Sequence, residues 1–94
     1  MKARVSPEAA EYIRDRGGRV FVWAGSVCCG GTRFVESGLA PRGDPNAFVP
    51  LTHGAITVLI RAVNGALPNE LEITLGGLLR KRVIAYWNGC PYLT

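Results

Sequence analysis

The chain has 94 residues, 48% of them hydrophobic, and 11 basic against 7 acidic side chains give a formal charge of +4. A chain of this length buries one core, so a single domain spanning residues 1–94 is expected. No apolar run approaches the ~20 residues that cross a bilayer, the first residues lack a signal peptide's apolar core, and three cysteines are too few for a secreted disulfide framework, which makes the cytoplasm the expected compartment.

Ser6-Pro7-Glu8 is a helix start: the hydroxyl can accept an orphan amide, proline suits the first helical position and glutamate complements the positive end. A helix from Pro7 to Arg16 follows, with Ala9, Ala10 and Ile13 inward and Gly17-Gly18 as its stop. Arg19 to Ala24 is β-branched and aromatic on both faces, the pattern of a central strand. Gly25 to Gly31 then reads as a glycine-rich loop and Thr32 to Ser37 as a second strand. Three prolines and two glycines mark Gly38 to Pro50 as a surface loop. Ala55 to Val63 is a further strand, ended by Asn64-Gly65. In the next strand Leu71, Ile73 and Leu75 alternate with Glu70, Glu72 and Thr74, giving one wet face. Gly76-Gly77 offers a tight turn into Leu78 to Trp87, and Asn88-Gly89-Cys90-Pro91 reads as a turn and a short tail. The fold class expected is α+β, mostly β: one N-terminal helix packed on a sheet or a two-sheet sandwich.

Chemistry concentrates in three thiols. Cys28 and Cys29 are adjacent, with Cα atoms ~3.8 Å apart against the ~4.4 Å at which ordinary disulfides begin, so a bond between them would be strained and labile. In a regular strand their sulfurs would point to opposite faces. Gly30-Gly31 permits the turn that brings them together, and glycine also lets backbone approach a bound group and offer it N–H donors. Cys90, between Gly89 and Pro91, is a third ligand or a resolving thiol.

Other residues carry less. His53 has no metal-ligand spacing around it and reads as structural or incidental. Tyr86 and Trp87 end a strand pattern and read as core. Arg80-Lys81-Arg82 reads as a solvated strand face. The remaining basic residues are scattered and lack interleaved aromatics, so neither nucleic acid nor a membrane is an expected partner.

The order helix, strand, Val27-Cys28-Cys29-Gly30 loop, strand, and then Asn88-Gly89-Cys90, resembles the HesB/IscA-like family of A-type iron–sulfur carriers. In that family a Cys-x-Gly loop follows the first strand, matched here by Cys28-Cys29-Gly30 with Cys28 as the family's cysteine. The family ends in Cys-x-Cys, where this chain has Cys90 and, two residues on, Tyr92. The doublet is similar to a small branch of HesB-like proteins with a Cys-Cys motif, some of which use selenocysteine. The resemblance implies a HesB-like domain that binds an iron–sulfur cluster or a soft metal through Cys28, Cys29 and Cys90, with Gly30 and Gly31 against the bound group. It implies a binding or carrier protein rather than an enzyme, working with iron–sulfur or thiol-redox partner proteins. A [2Fe–2S] cluster takes four protein ligands, one more than the chain's three thiols, so a homo-oligomer or an external thiol is expected in the loaded state. The alternative is a thiol oxidoreductase in which Cys28 or Cys29 attacks and Cys90 resolves the mixed disulfide.

Overall fold

The computed structural model describes residues 2–27, 29–77 and 80–93. Its elements, in chain order, are β1 (Lys2–Val5), α1 (Pro7–Asp15), β2 (Arg19–Val27), a 3-10 turn (Cys29–Gly31), β3 (Arg33–Gly38), a second 3-10 turn (Pro45–Ala47), β4 (Phe48–His53), β5 (Ile56–Arg61), β6 (Glu70–Gly76), β7 (Arg82–Trp87) and β8 (Tyr92–Leu93). Two sheets form, one of three strands in the order β1-β6-β7 and one of five in the order β4-β5-β2-β3-β8. The architecture is the expected one, mostly β with one helix on a two-sheet sandwich.

Helix α1 begins as its sequence dictates. Ser6 is extended, its hydroxyl accepts the Ala9 amide at 3.2 Å, and Pro7 occupies the first turn. Ala9 and Ile13 are fully buried while Ala10 is only half-buried, so the helix meets the core along a narrower stripe than its apolar residues allow. That stripe joins Val20, Val22, Ile56, Val58 and Ile60 of the larger sheet and Leu71, Ile73, Val83, Ala85 and Trp87 of the smaller one in one apolar cluster. The Ser37 hydroxyl donates to the Val83 carbonyl at 2.9 Å, a direct tie between β3 and β7 across the two sheets.

Strand β2 is central, flanked by β5 in parallel and β3 antiparallel. Its side chains bury on both faces: Val20 and Val22 enter the main cluster, whereas Phe21 and Trp23 pack with Phe48 and Leu59 on the opposite face. Phe48 meets both rings edge-on, with centroids 5.3 Å from Phe21 and 6.5 Å from Trp23. Edge-on contact places the positive rim of one ring on the negative face of the other.

Several boundaries differ from those the sequence suggests. Lys2–Val5 is a strand, paired in parallel with β6 from Lys2↔Glu70 to Val5↔Ile73. Strand β2 runs on to Val27, past the expected end at Ala24, with a shift of register between Ala24 and Val27. The expected surface loop ends early, because Phe48–His53 pairs with β5 as the outer strand of the larger sheet. Strand β7 begins at Arg82, paired with Gly76, later than the expected start at Leu78. Leu78 and Leu79, expected in that strand, lie outside the described residues.

Candidate functional site

The site is built on the β2–β3 hairpin. Antiparallel pairing runs from Phe21↔Gly38 to Val27↔Arg33, and the chain reverses through the 3-10 turn of Cys29–Gly31. Gly30 and Gly31 have φ of +74° and +81°, a left-handed region that costs other L-residues roughly 1–2 kcal/mol. Among the described residues, nothing lies within 4 Å of a Cβ built at either glycine. Backbone conformation therefore favours glycine at both positions. Cys29 opens this turn; Cys28 lies outside the described residues.

Cys90 is an exposed free thiol in the turn that joins β7 to β8. The turn is closed by reciprocal backbone bonds between Trp87 and Cys90, at 2.7 and 3.1 Å. Asn88 anchors it: its side-chain oxygen accepts the amides of Asn69 and Glu70 at 2.8 and 2.9 Å, and its own amide donates to the Glu70 carbonyl at 2.8 Å. Beyond the turn, β8 docks on β3 with Phe34↔Tyr92 and Arg33↔Leu93, and Val35 donates to the Pro91 carbonyl at 2.9 Å. The tail thus follows the same strand that carries the hairpin and points toward the hairpin's tip. Cys90 stands at the other end of that short ladder. Three residue steps along the chain take Cys90 to Leu93, roughly 10 Å at the rise of an extended backbone.

Among the described residues, no three His, Cys, Asp or Glu side chains converge as a metal site. His53 ends β4 opposite Ile56, while Arg19, at the start of β2, is level with Thr57. The histidine is therefore at the opposite end of the sheet from the hairpin and two strands removed from β2, in keeping with an incidental role. Trp87 is buried in the main cluster, and Arg80, Lys81 and Arg82 are exposed. Tyr92 in β8 is paired with Phe34 of β3, and both aromatic residues are exposed.

A feature that sequence reasoning missed lies beside the hairpin. Trp23, Ala24 and Gly25 line a hollow of about 250 Å³ together with Arg33, Arg42 and Arg61. These arginines are far apart in sequence, and no local pattern marks them as neighbours.

No family model matches this sequence, and no curated protein matches it either. Solved structures do match its fold. The crystal structure of IscA with the [2Fe–2S] cluster superposes with a TM-score of 0.63, covering 90% of this chain and 84% of that one at 13% identity. The crystal structure of Escherichia coli SufA, involved in the biosynthesis of iron–sulfur clusters, gives a TM-score of 0.60 at 14% identity, covering 93% of this chain and 81% of that one. The likeness covers at least 90% of this chain, and the fold is shared with these two proteins.

Proposed function

We propose that this protein binds an iron–sulfur cluster through thiolates of Cys28, Cys29 and Cys90 and serves in the assembly or carriage of such clusters in the cytoplasm. One observation carries the reading: the Cys29–Gly31 turn, which Cys28 precedes in sequence, closes the β2–β3 hairpin in a fold shared with a [2Fe–2S] protein and an iron–sulfur biosynthesis protein. The donor set suits the group. Thiolates are soft ligands matched to iron–sulfur clusters, and backbone without side chains at Gly30 and Gly31 lets the group come close. The adjacent Cys28 and Cys29 support a likeness to the Cys-Cys branch of HesB-like proteins.

Cluster binding also implies a shared site. One chain offers three thiols and a [2Fe–2S] cluster takes four ligands. Within a chain, Cys90 reaches the hairpin only if β8 leaves β3, whereas a second copy can supply thiolates without that opening. The loaded form is therefore a homo-oligomer, and its partners are proteins that donate or accept clusters.

Anaerobic reconstitution with iron and sulfide tests this. Visible charge-transfer absorption is expected for the wild-type chain and is lost in Cys28→Ser and Cys29→Ser, and sedimentation shows at least a dimer only when loaded. Absence of absorption with the wild type overturns the reading. A two-proton mass loss mapped to the cysteines after mild oxidation, with no iron in the purified protein, would establish the thiol oxidoreductase in its place.

A further inference from the structure

Strands β2 and β5 run side by side from Arg19↔Thr57 to Val22↔Ile60 and then part. Strand β2 continues with β3 through its register shift, while the chain after β5 closes a separate turn in which Val63 bridges Ala66. Where parallel strands separate at their carboxyl ends a crevice opens, and such crevices are common ligand sites in α/β sheets. Here it is lined by Trp23, Ala24, Gly25, Arg33, Arg42 and Arg61. A second hollow of about 200 Å³ shares Ala24, Arg33 and Arg61 with it and extends along Ala62 to Asn64.

The charges are one-sided. Arg33 from β3, Arg42 from the loop before β4 and Arg61 from the end of β5 line the crevice, and among the described residues the one carboxylate paired with any of them is Glu36, which reaches Arg42 at 3.7 Å. Arg61 donates to the Arg42 carbonyl at 3.4 Å, and its guanidinium lies 6.0 Å from the Phe48 ring centroid. Gly43 beside it has φ of +85°, a backbone conformation that favours glycine. The third element is Trp23. The residue is only 8% exposed, and its indole N–H is the one buried side-chain polar atom without a hydrogen-bond partner among the described residues. That nitrogen has less than 1 Å² of accessible surface, so Trp23 lines the hollow through other atoms of the residue and not through its donor.

We propose that this crevice binds a small multivalent oxyanion bearing phosphate or carboxylate groups, with Arg33, Arg42 and Arg61 as charged donors and Trp23 as part of the wall. Guanidinium forks match both kinds of group through paired N–H bonds. The volume admits a small molecule rather than a polymer. The site uses no thiol and stands independently of cluster binding.

The test follows the two indole N–H signals in a ¹⁵N-labelled sample titrated separately with inorganic phosphate and with citrate at constant ionic strength. The Trp23 signal is expected to move saturably while that of Trp87, buried in the main cluster, stays fixed; the anion that saturates at lower concentration identifies the preferred group. Arg61→Gln and Arg42→Gln weaken binding about tenfold, the loss expected for one charge-assisted contact. Glu36→Gln tightens it by removing the competing carboxylate, and Arg14→Gln on the helix leaves it unchanged. Arg42 is on an exposed loop, so its variant remains informative if replacing Arg61 impairs folding. A Trp23 shift that is absent or linear, or that chloride reproduces at matched ionic strength, overturns the proposal.

Discussion

At Asn88 the backbone φ is +52°, and the side-chain oxygen accepts two amides from the start of β6. Conformation and hydrogen bonding can be separated by substitution. Asn88→Gly keeps the left-handed backbone and loses the acceptor, so it should cost about 1 kcal/mol or somewhat more. Asn88→Ala loses both and should cost about 1 kcal/mol beyond that. Urea unfolding of the two variants measures the difference, and equal losses would show that the backbone is not held left-handed. Gly30 gives the complementary case. Among the described residues nothing lies near its missing Cβ, so Gly30→Ala should cost about 1–2 kcal/mol from backbone strain alone. Gly31→Ala should behave alike, and a loss much above that range in either would point to contacts not accounted for.

Among the elements, β8 is the most exposed to local opening, because two residues and a few backbone bonds hold it to β3. The amide of Val35, whose acceptor is Pro91, should exchange with solvent faster than the amide of Val22 in the central strand. Leu93 packs against the main cluster, and Leu93→Asp should speed exchange at Val35 without changing Val22. If both amides respond equally, the tail is part of the global unfolding unit. Short edge elements of this kind were also the least legible in the sequence. The helix was readable from Ser6-Pro7-Glu8, and the central strand from its two apolar faces. Lys2–Val5 alternates charge with small apolar residues and has no local partner; it becomes a strand only when β6 arrives. Phe48–His53 hides behind a proline-rich run and contains Pro50, which is tolerated because an outer strand can leave one side of its backbone unpaired. The thiols could be read as residues of interest, whereas the arginine crevice could not, since Arg33, Arg42 and Arg61 meet only through the divergence of β2 and β5.

At the scale of the whole molecule, the two apolar clusters are coupled through one strand, β2, whose alternate side chains belong to each. Trp23 reports on one cluster and Trp87 on the other. Fluorescence-detected denaturation of Trp23→Phe and Trp87→Phe variants should therefore show each remaining indole changing in step with far-UV circular dichroism measured on the same variant. Separated transitions within one variant would mean that the outer aromatic cluster melts independently. Among the described residues no helix is long and apolar enough to cross a membrane. The pairing of Lys2–Val5 with Glu70–Ile73 has a further consequence in time. Strand β1 must wait for Glu70–Ile73, made later, before it can join a sheet, and the hairpin's strand β3 gains its outer neighbour only when Tyr92 and Leu93 have been made. Long-range closure of this kind is slow compared with local pairing. A nascent chain therefore carries Cys28 and Cys29 through translation before either sheet is complete, and oxidants or metal ions present then meet the doublet before the finished fold does.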